Sequence, residues 1–208
     1  MRPTRPVGSL LILAAAGALI GAVQAATPST APAAAGLRGP QDFASITDRT
    51  ERSRALFAEA GKVIESPRCQ NCHPAGNRPS QGEDMHPHLP MVVRGPDDRG
   101  VPALRCTTCH QAANYAAGNV PGHPQWSVAP LSMAWQGRSL GQICEQIKDP
   151  ARNGHRSLAQ IREHMGHDAL VGWAWHPGGA RVPAPGTQAR FGALIDAWVA
   201  TGAACPAS

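Results

Sequence analysis

The sequence is poor in aromatic side chains, with three Phe, one Tyr and five Trp among 208 residues. A chain so short of large apolar plates has difficulty building an extensive core from its own residues. Clustered charge of one sign is missing as well. Nineteen Lys and Arg stand against fourteen Asp and Glu, a net charge of +5, and the arginines are scattered, which leaves no footprint for nucleic acid. Beyond the first 25 residues no stretch is long and apolar enough to cross a bilayer. No segment alternates apolar and polar residues convincingly, so strands are not expected.

What is present begins with an export signature. Arg2 and Arg5 precede an apolar run from Val7 to Val23, and Val23-Gln24-Ala25 offers small residues at a cleavage site before Ala26. This pattern reads as a Sec-type signal peptide over 1–25, which sends the mature chain to the periplasm. A retained anchor is the competing reading, but the run falls short of the ~20 residues a span needs. Removing Arg2 and Arg5 lowers the charge from +5 to 5 − 2 = +3. Residues 26–41, rich in Ala, Pro, Thr and Ser, read as a flexible leader.

The remainder, 42–208, is expected to be mainly α with extensive irregular loops. Leu56, Phe57, Ala60, Val63 and Ile64 share one helical face between Thr47 and Ile64, and Ser66-Pro67 stops that helix. Chain rich in Gly and Pro runs from about Pro74 to Gly137. Three helices then follow a Ser or Thr cap. Ser139 precedes Leu140, Ile143, Cys144 and Ile147; Ser157 precedes Leu158, Ile161 and Met165; Thr187 precedes Phe191, Leu194, Ile195, Trp198 and Val199. This divides the domain into a motif-bearing region, 42–137, and a helical C-terminal lobe, 138–208.

Two five-residue motifs carry the chemistry: Cys69-Gln70-Asn71-Cys72-His73 and Cys106-Thr107-Thr108-Cys109-His110. Two intervening residues set the sulfurs one short turn apart, as two thioether bonds to the vinyl groups of one porphyrin require. The following His then turns its imidazole to the iron. A zinc site or a redox-active dithiol is the competing reading, but both motifs carry His directly after the second Cys, in an exported chain. The expectation is two haem c groups, attached at Cys69, Cys72, Cys106 and Cys109, with His73 and His110 as proximal ligands. Two buried porphyrins would also supply the apolar surface that the composition lacks.

The motifs head an approximate repeat of 37 residues (Cys69 to Cys106), with Ala75 and Ala112, Asn77 and Asn114, then His86-Pro87 and His123-Pro124 in register. The shared His-Pro makes His86 and His123 the expected distal iron ligands, of their own haem or the neighbouring one. His88, Met85, Met91 and His164 are alternatives. Axial ligand identity sets the potential, with Met raising it relative to a second His. His164-Met165-Gly166-His167 with Trp173-Ala174-Trp175-His176 could also be read as a copper site, against a plainer reading in which Met165 and one Trp pack on the haems. Cys144 and Cys205 remain, an even pair that forms a disulfide in an oxidising compartment, though two buried thiols are possible.

The paired motifs resemble the small periplasmic dihaem and multihaem cytochromes c of Gram-negative bacteria. More closely, Cys69–Pro87, Met133-Ala134-Trp135 and Ile143–Gly154 look like a family of proteobacterial cytochrome-like proteins, some labelled isoquinoline 1-oxidoreductase subunits. That resemblance implies a dihaem cytochrome c domain serving redox partner proteins, among them a molybdenum hydroxylase as electron donor. Three function classes compete: an electron carrier, a small peroxidase-like haem enzyme, and a gas-binding sensor. The last two need an open iron position, and the surplus of candidate ligands favours closed irons, hence the carrier and no catalytic residues.

Overall fold

The computed structural model describes residues 36–208 together with Met1, so the rest of the signal segment and residues 26–35 of the expected leader lie outside the described residues. Six α-helices and four two-residue strands carry the described chain. Helix α1 (Arg49–Ile64) starts where the Asp48 carboxylate accepts the Glu51 N–H at 2.8 Å. Short α2 (Pro67–Gln70) follows, with Pro67 in its first turn. Helices α3 (Leu140–Lys148) and α4 (Leu158–His167) both open with a capping box, Ser139 with Gln142 and Ser157 with Gln160. Asp168 caps α5 (Ala169–Gly172), and Thr187 caps α6 (Gln188–Ala200).

The core lies between α1, α3, α4 and α6, where Leu56, Phe57, Val63, Ile64, Ile143, Ile147, Leu194, Ile195 and Trp198 are buried. Phe57 meets Trp198 with ring centroids 4.9 Å apart. The stripes expected from sequence are the faces that are buried, except that Leu140, Leu158 and Val199 lie at the core margin. Helices α4 and α6 approach most closely at Gly166 and Gly192, where a Cβ on Gly192 would lie 2.8 Å from the Gly166 Cα. Gly192→Ala therefore sets two opposed effects against each other. Helix propensity gains about 1 kcal/mol, whereas forcing packed backbones apart costs about 1–3 kcal/mol. The backbone cannot rotate away as a side chain can, so a net loss is expected, read as a lower urea midpoint. An unchanged midpoint would mean the helix pair separates freely.

Three sequence expectations change. Leu37 is buried in the core and Arg38 pairs with buried Glu59, so the folded domain begins before residue 42. The division at 137/138 is not a division between lobes, since α1 packs on α6 and α3 within one unit. Strands also exist: β1 (Ser80–Gln81) pairs with β2 (His86–Pro87), and β3 (Gly100–Val101) with β4 (Leu104–Arg105), both antiparallel. Two-residue strands are too short to show any alternation. Burial would raise the Glu59 carboxyl, but hydrogen bonds from Lys62 and Arg38 outweigh it and hold the group below its ordinary range.

The irregular stretch from Pro74 to Gly137 is organised by side chains rather than by ladders. Buried Arg94 donates to the carbonyls of Gly76 and Ala129 and to the Asp98 carboxylate, joining three loop segments. Asn114 accepts from Gly122 N–H and from Trp173 Nε1, each at 2.9 Å, and donates to the His176 carbonyl. Cys144 and Cys205 are joined as a disulfide, 61 residues apart in sequence.

Candidate functional site

Both Cys-x-x-Cys-His motifs fold as the same tight turn. The Cys69 carbonyl accepts from the Cys72 and His73 N–H groups, and the Cys106 carbonyl accepts from those of Cys109 and His110. The first turn continues α2; the second is a 3-10 turn after the β3–β4 hairpin. Each turn brings its two sulfurs and its imidazole together, and none of the four cysteines is disulfide-bonded.

The two histidines are oriented alike. His73 Nδ1 lies 2.7 Å from the Met133 carbonyl oxygen, and His110 Nδ1 lies 2.7 Å from that of Pro121. A carbonyl only accepts, so Nδ1 carries the hydrogen and Nε2 a lone pair. Carbonyl contacts of this kind set the tautomer of metal-binding imidazoles. An indole stacks on each ring: Trp135 on His73 at 3.5 Å and 7°, Trp126 on His110 at 4.5 Å and 13°. Desolvation pushes His73 down to about 4 and lowers His110 too, so both rings are neutral at pH 7. Burial likewise pushes the Cys69 thiol up to about 12 and that of Cys72 to about 11.

Each motif opens on its own cleft. The first, about 290 Å³, lies between Cys69, Cys72 and His73 on one side and Ile161, His164 and Met165 of α4 on the other. The second, about 570 Å³, is bounded by Cys106, Cys109, His110, His86 and His88. The clefts adjoin through a common wall of Arg68, Cys72, Trp126, Ser127, Val128 and Trp173. In that wall Trp126 and Trp173 meet edge to face with centroids 4.8 Å apart.

No family model, curated protein or solved structure matches this chain.

The residues themselves can be tested against a haem. Among the described residues no three His, Cys, Asp or Glu side chains converge to hold a bare ion. Each cleft instead has two thiols and one free imidazole nitrogen beside an apolar hollow, a donor set suited to a porphyrin. Arg99 and Arg156 line the first cleft, and Arg105 and Arg181 the second, which suits propionates. Two buried donors in the walls have no partner, Arg68 Nε and Trp135 Nε1. Unpaired buried donors of this kind fit a bound acceptor. The residues fit the group.

The other expected site residues are placed unevenly. His86 and His88 both line the second cleft, so they face the second motif rather than their own. His123 lines neither cleft; its ring Nδ1 accepts the Gln125 N–H, and its carbonyl accepts the N–H of Trp126. The second His-Pro thus shapes the turn that carries Trp126. Met85 and Met91 are exposed and line neither cleft. His164 faces the first cleft beside buried Met165, whereas His167 and His176 are exposed, so the copper reading finds no convergent ligands.

The sequence singles out the Trp173–Trp175 stretch but not Trp126, and the carbonyls of Met133 and Pro121 leave no side-chain trace at all. One signal was there: three of only five tryptophans line the clefts.

Proposed function

We propose that this chain is an exported, periplasmic dihaem c-type cytochrome that relays single electrons between an oxidoreductase and the respiratory chain. One observation carries the reading: two Cys-x-x-Cys-His turns, each with a pinned imidazole, open on adjoining clefts that share one wall. Bound there, haem c supplies a one-electron iron couple. The protein's part is positional. Cys69, Cys72, Cys106 and Cys109 hold the groups covalently, and His73 and His110 present Nε2 lone pairs fixed by backbone carbonyls. A wall one side chain thick would keep the two groups near each other. Donor and acceptor change by one electron each, and no proton is required. The family resemblance points to a molybdenum hydroxylase as the donor.

The mature chain, produced with haem c maturation, should carry the mass of two haems. A redox titration followed optically and by paramagnetic resonance should then give two one-electron steps from low-spin iron. A chain that carries no haem defeats the proposal. Rapid, stoichiometric binding of carbon monoxide to the reduced protein would instead favour an enzyme or a gas sensor, since both need an open iron.

A further inference from the structure

We propose that His88 is the sixth ligand at the second site, opposite His110, and that His164 is the sixth ligand at the first, opposite His73. The proposal rests on the dihaem reading above and replaces the pair His86 and His123 that the internal repeat favours.

The second site carries the stronger geometry. The His88 and His110 rings face each other across the cleft with centroids 5.9 Å apart and planes at 65°. Two imidazoles bound trans to one metal have ring centres about 6 Å apart, because each metal–nitrogen bond is about 2 Å and each nitrogen lies about 1 Å from its ring centre. The observed separation matches that requirement before any metal is considered. Both rings also have the correct nitrogen free. His88 Nδ1 lies 3.0 Å from the Pro90 carbonyl, so it carries the hydrogen and leaves Nε2 as the donor, as in His110.

His88 is held from every side. Its N–H donates to the Pro79 carbonyl at 2.9 Å, and its own carbonyl accepts from Arg78 Nε and Nη2 at 3.2 and 2.7 Å. His86, two residues earlier on the same hairpin, differs in the decisive respect. Its Nδ1 is 2.6 Å from Asp84 Oδ1 and its Nε2 is 3.1 Å from Gln81 Nε2, so both ring nitrogens are already engaged. Its hydrogen-bonding capacity is spent on closing the β1–β2 hairpin.

The first site repeats the logic from a different element. His164 lies on α4 and lines the same cleft as His73. Its Nδ1 points to the Asp168 carboxylate at 3.5 Å, and Asp168 is fixed in turn by accepting from the Leu170 and Val171 N–H groups. Carboxylate, histidine and metal in series form a recurrent ligand-orienting arrangement. Met165, its neighbour, is the competing donor in that cleft. Both side chains line the cleft, but only His164 has a carboxylate behind it, and the variants below separate the two.

The test uses the full mature chain with haem attached, counting haem by mass and reading spin state by paramagnetic resonance and optical spectra. His88→Ala should keep two haems per chain while half of the iron turns high-spin, and added imidazole should restore it. His164→Ala should do the same for the other half. His88→Met should keep its iron low-spin, with thioether signatures and a raised midpoint for one haem only. His86→Ala, His123→Ala and Met165→Leu should leave both irons unchanged. Fully low-spin iron in His88→Ala or His164→Ala with two haems attached overturns the corresponding assignment, as does a high-spin fraction in His86→Ala or His123→Ala. A wild-type chain without haem defeats the dihaem reading itself, which separates the two failures.

Discussion

Replacing Cys106 and Cys109 together by alanine is expected to lower the covalently bound haem from two per chain to one and to leave the helical core folded. The second turn lies on loop structure, and Cys109 is exposed. Apart from Pro67 and Arg68 of α2, its cleft is bounded mostly by hairpin and loop residues, with none of the buried isoleucines of the helices. The matching variant at Cys69 and Cys72 should behave differently. That cleft is walled by Ile64, Ile147, Ile161 and Phe191, all core residues. A cavity left there forfeits apolar contacts, at a cost of about 24 cal/mol per Å³ of void, whereas a void among loop residues fills with water. Both variants should lose one haem by mass, but only the first-site variant should melt markedly earlier. Equal melting temperatures would show that the first cleft is not a structural part of the core.

The second large effect concerns the disulfide. Replacing Cys144 and Cys205 by serine should cost about 4 kcal/mol, the loop-closure entropy of a loop of this length, and lower the melting temperature by roughly 8–16 °C for a domain of this size. The bond joins buried α3 to the tail after α6. That tail is also held by Trp198 Nε1 donating to the Ala204 carbonyl, by the Ala204 N–H donating to Ser53 Oγ, and by Arg54 Nε donating to the Cys205 carbonyl. A Cβ on Gly141 would lie 2.6 Å from both the Pro206 and Ala207 carbonyl oxygens, so the tail is laid directly on α3. Without the bond, this segment keeps only its contact with α3 and a few hydrogen bonds against its own chain entropy. Calorimetry of the variant tests the figure, and an unchanged transition would mean that packing alone holds the tail.

The helices were legible because the causes that form them are local. Ser139, Ser157 and Thr187 accept N–H groups within their own first turns, and the apolar stripes that follow have a period readable in one segment. The Cys-x-x-Cys-His turns were legible for a related reason, since each is closed by hydrogen bonds among contiguous residues. Partners across the clefts are another matter. His88 meets His110 across 22 positions and His164 shares a cleft with His73 across 91, and no local pattern encodes either meeting. The repeat preserves a dipeptide and not its setting. His86-Pro87 is a strand in a hairpin, whereas His123-Pro124 is part of a bend under Trp126. The loops hid their order because one buried guanidinium, Arg94, organises them through backbone oxygens.

The pairing of α1 with α6 places the first and last helices of the domain against each other, with both Cys-x-x-Cys-His turns between them in sequence. In a chain made N-terminus first, α1 lacks its main partners, α3 and α6, until both have followed the second turn. Both thiol pairs therefore emerge before the core can close. Under the dihaem proposal the topology would act as a timer: both turns would stay accessible to whatever installs their groups until the domain draws shut around them.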